Sequence, residues 1–124
     1  MATGLENLKI YQMAKMLELE VYRITRNFPK EERYLTVNQL RRSSSSVTNN
    51  IAESYYKQSM REKVHILKDT VICESEETRS NLSLCAEKGL VDKIVIEKLI
   101  TDYTEFMKAT HGYIRFLKTN QLKN

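Results

Sequence analysis

Apolar residues recur at spacings of three and four along nearly the whole chain. The first row is Ile10, Ala14, Leu17, Val21, Ile24 and Phe28, the spacing of one face of an α-helix. It predicts a helix over about residues 5–28. Thr3 and Glu6 stand as a capping box at its start. Pro29 ends it, because proline lacks a donor and disfavours helical geometry in the residue before it. Residues 29–34 read as a loop. A second helix, 36–57, begins with Thr36 and Gln39 as another capping box and carries Val37, Leu40, Ser44, Val47, Ile51 and Tyr55. A third, 59–88, opens with Ser59 and Glu62 and carries Val64, Leu67, Val71, Thr78, Leu82 and Cys85. Glu74 falls on that same face, where a carboxylate either sits at the edge of a core or pairs with a cation from another helix. Gly89 is placed as a left-handed C-cap, with Leu90 as its apolar contact. The fourth helix, 92–118, carries Ile96, Leu99, Tyr103, Phe106, Thr110, Tyr113 and Leu117. A second row of Ile100, Met107 and Ile114 widens its face. That width implies either central burial or a packing surface against another subunit. Residues 119–124 read as a polar, frayed tail.

The connections are short, which favours antiparallel neighbours. The expected fold is all-α: an antiparallel up-down-up-down four-helix bundle filling residues 1–124 as one domain. One proline and three glycines agree with long helices rather than a turn-rich β fold.

The segment from Gln39 to Glu53 stands apart. Four serines, Ser43 to Ser46, and two asparagines, Asn49 and Asn50, lie inside an unbroken apolar stripe. Small polar side chains there suit a close approach of a neighbouring backbone, or else a polar ligand or oligomer contact. A flexible serine-rich linker suits the pattern poorly, since the stripe continues and no Gly or Pro accompanies it.

Candidate chemistry is sparse. Glu62-x-x-His65 matches half of a di-iron bundle motif, but Lys108 stands where His111 would need its glutamate, so no metal is expected. Cys73 and Cys85 are twelve residues apart in one helix, too far to bond to each other. Neither has zinc-ligand spacing, and small core hydrophobe is the better reading for both. Free thiols fit a reducing compartment. With no signal-peptide pattern and no apolar run of membrane-spanning length, the expected location is the cytoplasm. No phosphate-cradling glycine loop occurs, and Glu74, Glu76 and Glu77 suit a solvated or ion-paired face better than an acid/base pair. Neither enzymatic activity nor a cofactor is expected.

The net charge is +4, with a pI near 9.1, and it is unevenly spread. Arg41, Arg42, Lys57 and Arg61 face one acid, Glu53, over residues 36–61. From Lys108 onward Lys108, Arg115, Lys118 and Lys123 meet no acid at all. Tyr55, Tyr56 and Tyr113 lie beside these cations. Such a mixture can hold phosphates and stack bases, or it can be a solvated surface with core-edge tyrosines. Arg41 and Arg42 could equally pair with Glu74, Glu76 or Glu77 across the bundle or between subunits.

Three stretches carry a family resemblance: Leu8-x-Ile10-Tyr11-Gln12-x-Ala14, then Phe28-Pro29-Lys30-Glu31-Glu32-Arg33-Tyr34, then Gln39-Leu40-Arg41-Arg42 through Asn50-Ile51-Ala52-Glu53. Together they resemble the four-helix bundle proteins encoded in intervening sequences of bacterial 23S ribosomal RNA genes, relatives of the accessory variability proteins of diversity-generating retroelements. The family pattern Ser-Ile-Pro-x-Asn-Ile-Ala-Glu-Gly has Thr48 and Ser54 here in place of its proline and glycine, so any kink in the second helix should be weaker. The resemblance implies a ring-like homo-oligomer, typically a pentamer, without catalysis. Its retroelement relatives bind nucleic acid and a reverse transcriptase through basic surface. Arg41, Arg42, Asn50 and Glu53 are the residues it carries over. Lys57, Arg61, Arg115 and Lys118 join them from the charge pattern as candidate contacts to RNA or a nucleoprotein. The alternative is a purely structural interaction module whose arginines make intersubunit ion pairs.

Overall fold

The computed structural model describes residues 4–123. A single turn, Gly4–Asn7, precedes helix α1 (Lys9–Thr25). Helix α2 (Asn38–Tyr56) is entered through a 3-10 turn, Lys30–Glu32, and a π turn, Arg33–Val37. Helix α3 is continuous from Met60 to Glu87, with a π segment, Ile66–Val71, between Met60–His65 and Ile72–Glu87. Helix α4 is Lys93–Lys123. Each helix packs on the next, and α4 returns to α1. This is the up-down-up-down bundle expected from the apolar rows.

Those rows form the core. Ile10, Ala14, Leu17 and Val21 from α1 meet Leu40, Val47 and Ile51 from α2, Leu67, Val71, Leu82 and Cys85 from α3, and Ile96, Leu99, Tyr103 and Phe106 from α4. Met107 and Ile114, from the second row of α4, are buried as well, while Ile100 is half-buried against the core. The wide face of α4 is therefore explained mainly by central burial within one subunit.

The serine run packs closely. Ser43 and Ser44 are buried, and the Ser43 and Thr78 hydroxyls lie 2.7 Å apart across the α2–α3 interface. Each hydroxyl also has a carbonyl acceptor on its own helix, Glu74 at 2.8 Å for Thr78 and Leu40 at 3.4 Å for Ser43. A larger side chain at either position would push the helices apart.

Several boundaries differ from expectation. The first helix is broken at Leu8, whose backbone is extended. The break turns Leu5 inward to burial, and the Gln12 side-chain amide donates to the freed Glu6 carbonyl at 2.8 Å. Thr3 of the expected capping box lies outside the described residues. The helix ends at Thr25, and Arg26 to Phe28 unwind through i→i+3 bonds ahead of Pro29. The second capping box does not form. Thr36 is already inside the helical path, and its hydroxyl donates to the Glu32 carboxylate at 2.6 Å. Helical structure starts directly after Pro29, with Glu31 and Glu32 in the first turn, where carboxylates complement the helix dipole. The expected loop is thus mostly 3-10 and π turns. Helix α4 continues to Lys123 rather than ending near Lys118.

Two expected helix ends are found as read. The Ser59 hydroxyl accepts from the Glu62 amide at 3.0 Å. Gly89, at φ 73°, closes α3 in a Schellman motif: the Leu90 amide donates to the Cys85 carbonyl and the Gly89 amide to the Ala86 carbonyl, both at 3.1 Å.

Candidate nucleic-acid and partner surfaces

The antiparallel path divides the expected contact residues between the two ends of the bundle. Arg41 and Arg42 lie in the first turns of α2, beside the C-terminus of α1. Asn50, Glu53 and Lys57 lie toward its other end, and Lys57 is about 24 Å from Arg41 along the helix, at 1.5 Å per residue. Arg61 opens α3, and Arg115 and Lys118 lie near the end of α4, so these three share the end that holds Lys57. Tyr55 and Tyr113 are close enough there to interact electrostatically. Burial is the main cause of a raised Tyr113 pKa, with Tyr55 adding to it.

Several of these residues have partners within the chain. The Arg41 Nε donates to the Thr25 hydroxyl at 2.9 Å, and a terminal nitrogen donates to the Tyr22 carbonyl at 3.4 Å. Its guanidinium lies 4.3 Å from the Tyr22 ring centroid. Arg41 thus clamps the end of α1 to α2 and makes no ion pair with Glu74, Glu76 or Glu77 among the described residues. Arg42 does reach across the bundle, to Glu77 at 3.4 Å, an exposed pair of small energetic weight. The Asn50 amide donates back to the Ser46 carbonyl at 2.8 Å and to the Ser46 hydroxyl at 3.1 Å. Lys57 stands 3.8 Å from both Glu53 and Glu62. Arg61, Arg115 and Lys118 are exposed and, among the described residues, without an acidic partner.

Glu74 sits at the edge of the core, with Oε2 buried and lacking a hydrogen-bond partner. Burial raises its pKa first, followed by the neighbouring Glu77 carboxylate, while Arg42 pulls it back. Cys85 is buried, and burial raises its thiol pKa. Cys73, in contrast, is exposed, so the reading of both cysteines as core hydrophobes holds only for Cys85. His65 is exposed, with Nδ1 2.7 Å from the Asp69 carboxylate.

Two surfaces were not read from the sequence. One is a groove between α1 and α4, with Met13, Met16, Leu17, Ile24, Ile94 and Val95 in its apolar lining and Glu20, Lys98, Asp102 and Glu105 in its charged lining. Met16 is 68% exposed and Ile94 76%. The other is a cleft of about 560 Å³ where the end of α1 meets the turns leading into α2. Arg26, Lys30, Arg33 and Arg41 line it, with Tyr22. Summed charge hid Arg26, Lys30 and Arg33, because Glu31 and Glu32 lie among them. Their spacing of four and three was the available signal.

The fold and its surfaces define a class, that of small antiparallel four-helix bundles with segregated basic and apolar faces. Within that class the chain belongs to the 23S rRNA-intervening sequence proteins, whose family pattern it matches over residues 6–112. It is similar in fold to a protein of unknown function from the S23 ribosomal protein family of Bacteroides thetaiotaomicron VPI-5482. Their TM-score is 0.75 at 21% identity, covering 85% of this chain and 97% of the other. No curated protein matches the chain. Among the described residues no helix is long and apolar enough to cross a membrane.

Proposed function

We propose that this protein is a non-enzymatic, self-associating bundle that holds RNA, or a nucleoprotein, on its basic surface. The observation that carries the reading is the separation of its surfaces. Three exposed apolar side chains, Met16, Ile94 and Val95, meet in the α1–α4 groove, while cations that have no acidic partner among the described residues gather at the ends of the bundle. The acids beside the groove are occupied: Glu20 by Arg23, Asp102 by Lys98, and Glu105 by Lys108. The α2–α3 side offers a second apolar patch, Leu35 and Leu84, both about half exposed. Two different patches on opposite sides suit a head-to-tail ring of identical copies, and the pentamer is the ring we favour. The basic ends would then line up around the ring, adding the weak contacts of several copies. The cytoplasm is the compartment proposed for this assembly.

A purely structural module is the competing reading. Its ion-pair mechanism gains no support from Arg41, which is engaged within its own subunit, or from Arg42, whose partner lies in the same chain. RNA binding is tested by titrating a labelled single-stranded RNA oligonucleotide at rising salt. The affinity should fall steeply, with a slope of about 0.7 in log–log form per phosphate contact. Absence of binding at low salt contradicts the RNA reading and leaves the structural module.

A further inference from the structure

The basic cleft at the α1–α2 junction has the makings of a phosphate site. Four cations line it and, among the described residues, no carboxylate does. Arg26, Lys30 and Arg33 make no ion pair among the described residues. Two acids adjoin them in sequence: Glu32 is turned away, accepting from Thr36 and lying 4.0 Å from Lys88 at the end of α3, and Glu31 is exposed and, among the described residues, makes no ion pair with them. The helix dipole accounts for only part of the cluster. Arg26 follows the C-terminus of α1, where a cation is favourable. Lys30 and Arg33, however, stand in the first turns of the path into α2, where the dipole disfavours positive charge. These two cations therefore add to local repulsion, and an anion in the cleft would relieve it.

Arg41 supplies preorganisation. Its Nε is fixed on Thr25, one terminal nitrogen reaches the Tyr22 carbonyl, and the guanidinium lies over the Tyr22 ring, so little side-chain entropy remains to be lost when it donates to a ligand. The terminal N–H groups of Arg41 that these contacts leave over are held in place to donate to phosphate oxygens. The cleft also joins the two stretches that stood out in the sequence, Phe28 to Tyr34 and Gln39 to Arg42, in a single concave surface.

We propose that this cleft receives the backbone phosphates of RNA and is the principal contact in the RNA binding proposed above, on which the inference rests. Arg41 and Arg33 hold a phosphate inside it, and Arg26 and Lys30 draw neighbouring phosphates to its rim. Tyr22, with one ring face under Arg41, forms part of its wall.

The test compares two double variants that lower net charge equally: Lys30→Glu with Arg33→Glu in the cleft, and Arg115→Glu with Lys118→Glu at the opposite end. Circular dichroism checks that both remain helical. Lys30→Gln with Arg33→Gln serves as the milder cleft variant should the reversal disturb the fold. The cleft variants should weaken RNA binding at least about 10-fold and lower the salt slope by about 1.4, the loss of two single-strand phosphate contacts. The end variant should lose markedly less. Nuclear magnetic resonance should show the Arg41 Nε–H signal moving as RNA is added to the wild type. If the wild type binds but the cleft variants match it, or the end variant loses more, the cleft assignment is wrong while the RNA reading stands. If the wild type does not bind, the RNA reading itself fails and takes the assignment with it.

Discussion

Single residues show how the bundle tolerates polar groups inside it. Ser43, Ser75 and Thr110 are buried, and each hydroxyl is satisfied by a backbone carbonyl or a neighbouring hydroxyl. Buried hydroxyls that are bonded cost little. Glu74 is different, because one of its oxygens is buried without a partner and its pKa is raised. A raised carboxyl pKa means that the fold prefers the protonated form. Its penalty is absent below the pKa of the unfolded chain, grows as pH rises through the interval up to the folded value, and is complete above it. Glu74→Gln, a neutral stand-in for that form, should therefore raise the melting temperature at neutral pH. The advantage should shrink as pH falls through that interval and be gone below the ordinary glutamate range, and thermal denaturation at neutral and acid pH reads it directly.

At the scale of elements, the apolar rows made the four helices legible because burial of one face dominates helix choice in a bundle. The details that escaped are local changes of winding. In α3 the π segment Ile66–Val71 widens a turn, and the buried face continues from Val71 to Ser75 and Thr78. Glu74, beside Ser75 on this stretch, takes the edge of the core, one of the two places its spacing allowed. The break at Leu8 goes with burial of Leu5 and the Gln12–Glu6 bond, and the π turn before α2 with the Thr36–Glu32 bond, none of which the apolar pattern encodes. The end of α3 was legible because its chemistry is local. Gly89 has the positive φ that a side chain resists, although nothing lies close to where a Cβ would stand. Gly89→Ala should cost about 1–2 kcal/mol, the strain of left-handed backbone for an L-residue. Urea denaturation should register it as a lower midpoint at unchanged slope.

For the whole molecule, the candidate surfaces were only half legible. The excess of cations was visible, but not which of them had partners. Arg41 and Asn50 turned out to be engaged within the subunit, and three cations hidden among glutamates came together in one cleft. The apolar surface was misplaced for a similar reason. The second row of α4 is mostly core, whereas Met16, Ile94 and Val95 lie off the main rows and remain outside. Self-association should therefore depend on the α1–α4 groove. Because Met16 and Ile94 are exposed, Met16→Glu with Ile94→Glu should break the assembly while changing the stability of each subunit little. Sedimentation velocity of the wild type at micromolar concentration, beside that variant, is the most direct measurement. The wild type should sediment as a discrete multiple of 14.6 kDa and the variant as a single helical chain. A wild type that sediments as one chain of 14.6 kDa, or a variant that keeps the full assembly, would contradict the account.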